Sequence, residues 1–394
     1  MGNNLLNKDV QDFINQHLKK DISQLALQQN PFPDTDWKLI LQQIQAKQKC
    51  LDKLPTWGNT PMILFPPKIS IEQSSSEVLA QHKSESIHGK KIIDLTGGFG
   101  IDTFYFSKKF EQVIHVEINP ELSEIVRHNS LCLNAKNINV HQGDGLKILQ
   151  EIDQQFDWIY IDPARRNNQQ KKVFRLADCT PDVTNLLDKY FKYSDNILIK
   201  TAPLLDISQG IKELQYVEKI EIVSLNNEVR ELLWFLNKNQ QNPPQLFVTD
   251  YDSKGTKTSL QIPIHDDEYN RLSLPKNFLY EPVAGLLKSG SFNFIGNYFG
   301  LDKIDKHSHL YTSVEPKEFW GRRFKIVHSE DFSKKAMQKW SNQKANISCR
   351  NFPMKPEEIK KKFKIKDGGN QYLFFTSAEN GSKKLIIVGE KRDN

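Results

Sequence analysis

Hydrophobic and polar positions alternate with a helical period over the first part of the chain. Val10, Phe13, Ile14 and Leu18 recur at intervals of three and four residues, which places them on one face of an amphipathic helix. The same spacing returns after the first prolines, and further prolines close the region. We therefore predict an N-terminal helical region over residues 1–70, in which no pattern indicates chemistry.

The middle of the chain alternates short apolar runs with helical stretches. The runs are Lys91–Leu95, Val113–Ile118, Ile138–His141, Asp157–Ile161 and Asn196–Lys200. Strands separated by helices form parallel units with right-handed crossovers. The next two runs, Val217–Leu225 and Glu231–Leu236, are separated by a short polar segment, which predicts an antiparallel hairpin. The pattern predicts an α/β, Rossmann-like, seven-stranded sheet with one reversed strand, in a domain spanning residues 71–265.

The last third of the chain changes in both pattern and charge. Residues 266–316 contain one short helical stretch and one strand, as in a small ferredoxin-like segment or a linker. Residues 317–394 follow the order βαβαββ of a small α/β domain, and they hold 19 Lys and Arg against 9 Asp and Glu. The whole chain carries +6, so the preceding residues are mildly acidic. Such an excess favours a polyanion partner such as RNA, although a solvated helix face at Lys360–Lys362 is the alternative.

Composition excludes several other classes of protein. No apolar run approaches the roughly 18 residues that a bilayer requires, and the first 20 residues lack a basic-then-apolar leader. The four cysteines lie far apart, and the ten histidines form no group suited to a metal or a catalytic triad. We expect a cytoplasmic protein without disulfides, bound metal or membrane segment. No feature of the sequence predicts its oligomeric state.

A glycine-rich turn follows the first predicted parallel strand and opens a helix. Ligands of such sheets bind beyond the carboxyl ends of the strands. Glycines there allow the backbone to approach a ligand closely, and the N–H groups at the helix start can hold a carboxylate. The candidate cofactor-binding residues of this turn are Asp94, Thr96, Gly97, Gly98, Gly100 and Asp102.

Acidic residues end the next two strands. Glu117 can accept hydrogen bonds from both hydroxyls of an adenosyl ribose. Asp144, followed by Gly145, can accept the amino proton of adenine, although a plain helix N-cap is the alternative. A nicotinamide-binding Rossmann domain shares the glycines and the first acid. The GGxG spacing, the predicted hairpin and the Asp-Pro after the fourth strand argue against that alternative.

These ordered motifs, together with Asp162-Pro163, resemble those of class I S-adenosylmethionine (SAM)-dependent methyltransferases over about residues 75–240. The resemblance implies that SAM is the cofactor. Ser75-Ser76-Glu77 is similar to the segment that closes over the methionine end of SAM in RNA-modifying members, which implies that Glu77 lies in the cofactor site. The order of regions resembles that of bacterial RNA-methyltransferase-like proteins with a C-terminal THUMP-like domain, an attachment that binds RNA.

The motif after the fourth strand predicts where the methyl group is delivered. Asp162-Pro163-Ala164-Arg165 lacks the second proline and the aromatic residue of many amino-group methyltransferases, and resembles the motif of bacterial 5-methyluridine methyltransferases. Those enzymes add a cysteine to the pyrimidine, because C5 is not nucleophilic before that attack. The corresponding stretch Ile199–Pro203 has no cysteine, and Cys179 precedes the fifth strand. Carbon methylation is therefore disfavoured.

We predict methyl transfer to a nitrogen of a base in tRNA or rRNA. Asp162, in the Asp-Pro pair with Pro163, would accept a hydrogen bond or a proton from the acceptor. Arg165 or Arg166 would hold a phosphate or a carbonyl group, and Lys200 can face the same pocket, unless it is a solvated strand end. Two alternatives stay open: a methyltransferase acting on a protein or a small molecule, and an RNA-binding protein that retains SAM without turnover.

Overall fold

The computed structural model describes residues 3–165, 175–266 and 270–392. The chain divides into two compact units: residues 1–218 with 233–242, and residues 219–232 with 243–394. None of the helices in these described ranges combines the length and the apolar composition that crossing a bilayer requires.

The N-terminal residues form helices whose hydrophobic core also includes buried residues between Phe99 and Ala135. They are a 3-10 turn at Asn3–Leu6, α1 (Lys8–Gln16), α2 (Ile22–Ala26), α3 (Trp37–Lys53), α4 (Pro55–Asn59) and α5 (Lys68–Gln73). The side chains of Asn7, Asp21 and Asp36 cap α1, α2 and α3 by accepting hydrogen bonds from main-chain N–H groups. Buried residues such as Ile44 and Trp57 fill the space between these helices. The predicted helices are confirmed.

The first unit then alternates helices and strands. The helices are α6 (Glu77–Glu85), α7 (Ile101–Ser107), α8 (Pro120–Cys132), α9 (Gly145–Ile152), α10 (Leu187–Tyr190) and α11 (Ile207–Glu213), with 3-10 turns at Leu176–Asp178 and Val183–Asn185. The strands are β1 (Lys91–Asp94), β2 (Gln112–Glu117), β3 (Ile138–Gln142), β4 (Trp158–Ile161), β5 (Ala164–Arg165), β6 (Cys179–Thr180) and β7 (Asn196–Thr201). The five longer strands lie parallel in the order β7-β4-β1-β2-β3. The central residues of β1, β2, β4 and β7 are buried and mostly apolar, as expected for strands covered on both faces, whereas the edge strand β3 is partly exposed.

A hairpin and two further strands complete this sheet. They are β8 (Val217–Leu225), β9 (Glu228–Asn237), β10 (Gln245–Tyr251) and β11 (Lys257–Ile262). Asn226 and Asn227 form the hairpin turn with positive φ angles of 54° and 60°, the conformation that a two-residue turn between twisted strands requires. The strand order is β11-β10-β8-β9-β7-β4-β1-β2-β3. The predicted fold class is confirmed, and β10 and β11 extend the predicted seven strands.

The remaining strands form a second sheet. They are β12 (Phe278–Pro282), β13 (Asp302–Lys303), β14 (Tyr311–Ser313), β15 (Gly321–Asp331), β16 (Asn346–Arg350), β17 (Gln371–Ala378) and β18 (Lys383–Arg392), with helices α12 (Ala284–Ser289), α13 (Phe292–Tyr298), α14 (Lys334–Gln338) and α15 (Pro356–Phe363). Their order is β13-β14-β12-β15-β18-β17-β16. The βαβαββ order from residue 317 onward is confirmed. The short helix expected at Glu281–Lys288 begins at Ala284, and the strand β12 that precedes it was not predicted.

One buried carboxylate joins distant strands of this second sheet. Glu281 on β12 is 4% exposed, and its Oε2 accepts a hydrogen bond from Nε of Arg322 on β15 at 2.7 Å. Its Oε1 accepts hydrogen bonds from Nη2 of Arg350 at 3.0 Å and from Oγ of Ser348 at 3.1 Å. Both of these residues belong to β16, which three intervening strands separate from β12 in the sheet order, so the sheet curves back toward β12. The predicted boundary at residue 317 therefore falls within one continuous sheet.

We predict that Glu281→Ala lowers the free energy of unfolding by about 1–3 kcal/mol, because two guanidinium groups lose their shared counter-ion. The loss is smaller than for a fully buried pair, since the Arg322 and Arg350 side chains are 41% and 34% exposed and solvent screens them in part. Urea unfolding of the full chain measures it. The control is Glu318→Ala, because the Glu318 side chain is 97% exposed in its pair with Arg323. Equal stability of the two variants would contradict the role of Glu281.

Candidate active site

Four parallel strands bring candidate residues to one edge of the first sheet. Asp94 ends β1, Glu117 ends β2, Asp162 follows β4 directly, and Lys200 is the penultimate residue of β7. Because the carboxyl ends of parallel strands meet at the same edge, residues that are far apart in sequence lie in one place. This edge is where ligands of such sheets bind.

The glycine-rich turn lies tightly against β2. A Cβ atom on Gly97 would lie 2.1 Å from Cε1 of His115, so no other residue fits there without displacement of the imidazole ring. Gly98 and Gly100 have φ angles of 54° and 79°, in the left-handed region that favours glycine. The main-chain N–H of Gly98 donates a hydrogen bond to Oε2 of Glu117 at 2.9 Å. The turn is therefore held in one conformation by the strand beside it.

Glu117 ends β2 as predicted, whereas Asp144 lies two residues beyond the end of β3. The second oxygen of Glu117 accepts a hydrogen bond from the main-chain N–H of Asn119 at 2.7 Å, and the side chain is half-buried. Asp144 is exposed and caps α9 by accepting a hydrogen bond from the main-chain N–H of Lys147 at 3.0 Å. Asp144 therefore is a helix N-cap, as the alternative predicted. Contact between Asp144 and a ligand stays a prediction. A Cβ on Gly145 would lie 2.7 Å from the carbonyl oxygen of Leu95, so α9 begins against the first turn.

A buried hydrogen-bond network around Asp94 holds the glycine-rich turn in place. Asp94 is 1% exposed and accepts hydrogen bonds from the main-chain N–H of Thr96 at 3.0 Å and from Oγ1 of Thr103 at 2.8 Å. Oγ1 of Thr103 also lies 2.9 Å from Nδ1 of His115. Burial raises the pKa of Asp94 to about 8, with a smaller contribution from the negative charge of Asp102. Burial lowers the pKa of His115 to about 3, so its ring is neutral at physiological pH.

A second buried network fixes Asp102 behind the turn. Its Oδ2 accepts hydrogen bonds from Oγ of Ser75 at 3.0 Å and from Oη of Tyr160 at 2.8 Å. Its Oδ1 lies 3.2 Å from Nζ of Lys83, whose side chain is fully buried. Asp102 therefore connects the segment before α6, the start of α7 and β4. Sequence reasoning missed Tyr160 because it stands within an apolar run; the signal was a tyrosine in a buried strand, whose hydroxyl needs a partner.

Glu77 has contacts that the resemblance did not indicate. Its Oε1 accepts a hydrogen bond from the main-chain N–H of Thr56 at 2.6 Å. Its Oε2 accepts hydrogen bonds from Oγ1 of Thr56 at 2.7 Å and from Oη of Tyr105 at 2.9 Å. This carboxylate joins α4 to α6 and α7. Its contact with a cofactor stays a prediction.

The predicted acceptor residues Asp162 and Lys200 form an ion pair. Nζ of Lys200 donates a hydrogen bond to Oδ2 of Asp162 at 2.5 Å, and the two side chains are 16% and 32% exposed. The main-chain N–H of Asp162 donates to Oγ1 of Thr96 at 2.6 Å, which ties the acceptor motif to the glycine-rich turn. Pro163 is buried, and the backbone of Arg165 belongs to β5. Arg166, the other arginine predicted to hold a phosphate or carbonyl, lies outside the described residues.

Cys179 lies closer to the acceptor motif than its position in the sequence suggests. In the two-residue ladder of β5 and β6 it is paired with Arg165. Its side chain is fully buried, and Sγ lies 3.8 Å from the carbonyl oxygen of Arg175. Burial withholds the thiol from a substrate, which agrees with the argument against carbon methylation. Across the described ranges, no three His, Cys, Asp or Glu residues are grouped so as to hold a metal ion.

Three family models match separate parts of the chain. Residues 66–181 match a family described as conserved hypothetical protein 95. Residues 278–319 match a ferredoxin-like domain, and residues 321–391 match a THUMP domain-like family. The two last matches meet inside the second sheet, between β14 and β15.

Comparison with individual proteins also finds methyltransferases. The crystal structure of a candidate methyltransferase from Porphyromonas gingivalis W83 is 29% identical, with full coverage of both chains and a TM-score of 0.87. A tRNA (guanine(26)-N(2))-dimethyltransferase of Methanosphaera stadtmanae is 30% identical over 128 residues, 32% of this chain and 31% of that protein. An uncharacterised RNA methyltransferase of Clostridium acetobutylicum is 34% identical over 79 residues, 20% of this chain and 17% of that protein. The chain spans less than a third of the length of these two relatives. The family models and the crystal structure confirm the resemblance to methyltransferases with a THUMP-like domain.

We predict that Asp94→Asn stabilises the protein relative to the wild type increasingly as pH rises from about 4 to about 8. A carboxyl group whose pKa is raised on folding stabilises the folded state at low pH and loses that contribution as pH rises through its folded pKa. The neutral amide has no such dependence. Urea unfolding of both proteins at pH 5, 7 and 9 measures the difference. A difference in stability that does not change with pH would show that Asp94 is ionised throughout this range.

Proposed function

We propose that this chain transfers a methyl group from SAM to a nitrogen of a base in tRNA or rRNA. The observation that carries the proposal is the hydrogen bond from the main-chain N–H of Asp162 to Oγ1 of Thr96 at 2.6 Å. It fixes the distance between the residues assigned to the methyl donor and those assigned to the acceptor. Alignment of the two reactants supplies much of the acceleration of a transfer whose donor is already reactive.

The residues around the glycine-rich turn fit SAM. A Cβ on Gly98 would have no neighbour closer than 3.9 Å, so the space above this turn is open to a ligand. The N–H groups of the turn and of the start of α7 would hold the methionine carboxylate, and Glu117 would accept hydrogen bonds from the ribose. Asp144 and Gly145 would lie beside the adenine. When bound, SAM supplies an electrophilic methyl group on a sulfonium centre.

RNA is the proposed partner because the C-terminal residues are basic and because the chain is similar to RNA-modifying proteins. Residues 317–394 hold 19 Lys and Arg against 9 Asp and Glu, and Lys361 and Lys362 are exposed on α15. Lys360 on the same helix is paired with Asp367 at 2.6 Å, which reduces its contribution. The matching THUMP domain-like model and the tRNA and RNA methyltransferases among the relatives support the same class of partner.

We predict that isothermal titration calorimetry shows binding of SAM and its demethylated product and no binding of NAD. Glu117→Ala should weaken SAM binding roughly ten-fold or more, because charge-assisted hydrogen bonds to the ribose are lost. The matched control is Glu121→Ala, since Glu121 is an exposed acid at the start of α8. Micromolar binding of NAD without binding of SAM would overturn the proposal.

We predict that the double change Lys361→Glu with Lys362→Glu weakens binding of bulk tRNA and reduces the slope of log Kd against log salt by about one for each lost phosphate contact. Filter binding between 50 and 300 mM KCl measures both quantities. The charge-matched control is Lys254→Glu with Lys257→Glu, two exposed lysines, one on the loop between β10 and β11 and one at the first residue of β11. Equal weakening by both pairs would show that total charge, and not α15, determines binding.

A further inference from the structure

We propose that the methylated nitrogen is the ring N–H of a lactam, that is, an N–H next to a carbonyl group, as in guanine and uracil. The inference rests on the proposed function and names the substrate class of the same site. The structural basis is the side-by-side placement of a carboxylate and an ammonium group where the methyl group would be delivered. Asp162 and Lys200 provide these two groups.

The sheet itself sets this placement. β4 and β7 are adjacent and parallel, and Ile161 pairs with Ile199. The next residue on each strand is therefore Asp162 on one and Lys200 on the other, at the same level of the sheet. Their charged groups meet at 2.5 Å and stay partly open to solvent. A substrate that reaches this edge meets an acceptor and a positive charge together.

A lactam nitrogen requires both of these groups. It carries a proton and shares its lone pair with the carbonyl, so it is a poor nucleophile until the proton leaves. As the proton leaves, negative charge appears on the carbonyl oxygen. Asp162 can accept the proton, because a carboxylate has about four acceptor positions and Lys200 occupies one of them. Lys200, which lies beside Asp162, would place its positive charge near that oxygen and stabilise the developing negative charge.

The step balances without a further reactant. The bond between carbon and the sulfonium sulfur breaks, and its electron pair stays on the sulfur, which becomes a neutral thioether. The new bond between nitrogen and carbon forms with the electron pair that the nitrogen held toward its proton. That proton passes to the carboxylate of Asp162 and from there to solvent. The products are the N-methylated base, the demethylated cofactor and one proton.

The amino groups of adenine and cytosine fit this pair less well. Each is attached to a carbon next to a ring nitrogen that bears a lone pair, and it has no carbonyl group beside it. A positive charge placed at that ring nitrogen would draw electron density away from the amine and make it a weaker nucleophile. An acidic residue alone would serve such an acceptor better than an acidic residue with Lys200 held at 2.5 Å.

The first experiment identifies the methylated nucleoside. The full-length protein is incubated with isotopically labelled SAM and total RNA from a strain that lacks it, and digested nucleosides are analysed by mass spectrometry. We expect label on N1 of guanosine or N3 of uridine, and these two products distinguish the bases. Label on an exocyclic amine, as in N2-methylguanosine, N6-methyladenosine or N4-methylcytidine, overturns the lactam inference and leaves the proposed function intact. Binding of SAM without labelling of any RNA overturns both.

The second experiment tests the charge of Lys200. Lys200→Met should lower kcat roughly 10- to 100-fold, as expected for one lost charge-assisted interaction. Its rate should also rise more steeply with pH than that of the wild type, because ionisation of the base must then proceed without the ammonium. Lys200→Arg should restore most of kcat. The control is Lys212→Met, an exposed lysine on α11.

Affinity for SAM separates a loss of chemistry from a loss of folding. Lys200→Met should bind SAM within about three-fold of the wild type, because its assigned role concerns the acceptor alone. A Lys200→Met protein that keeps both the wild-type kcat and its pH profile overturns the inference. A loss of kcat that Lys200→Arg does not restore, with an unchanged pH profile, also overturns it, since a packing role would then explain the effect.

Discussion

The hydrogen bond between the main-chain N–H of Asp162 and Oγ1 of Thr96 is the contact on which the site depends. It joins the ends of β4 and β1, which are neighbours in the sheet, and so couples the two motifs to one another. Thr96 belongs to the glycine-rich turn, which is packed against His115 at Gly97. A shift of this turn would therefore move the Asp162 motif, and a shift of that motif would move the turn. The relative position of these two motifs is therefore set by the sheet and not by mobile loops.

Two buried carboxylates near this contact, Asp94 and Asp102, differ in whether a positive charge lies beside them. Asp94 accepts hydrogen bonds from a hydroxyl group and a main-chain N–H and has no ion-pair partner among the described residues, and its pKa is raised to about 8. Asp102 lies beside the buried ammonium of Lys83 and accepts hydrogen bonds from two hydroxyl groups. Such networks give the turn a single conformation, because each buried polar group loses its partner if the backbone moves. The protein thus uses buried polar interactions to hold this edge of the sheet in one conformation.

The strands that form the edge could be predicted from the sequence, since parallel strands covered on both faces appear as apolar runs and their ends are marked by Asp94, Glu117 and Asp162. The sequence indicated that Lys200 can face the same pocket as Asp162, but their direct ion pair could not be predicted, because it depends on β4 lying next to β7 and the two residues are 38 positions apart. Strand β12 was missed for a related reason. Its identity comes from pairing with β14 and β15, and the local pattern around Glu281 looked helical.

The ferredoxin-like and THUMP-like segments share the second sheet, and this affects how each could evolve and whether each could be produced alone. Residues 321–325 of β15 pair with β12 on one side, and residues 323–331 pair with β18 on the other. A fragment that began after β14 would leave one side of β15 as an unprotected edge, with unsatisfied main-chain groups able to recruit the same strand from another molecule. The THUMP-like segment is thus expected to be inherited, and to be obtained as a stable fragment, together with the ferredoxin-like segment that covers this edge.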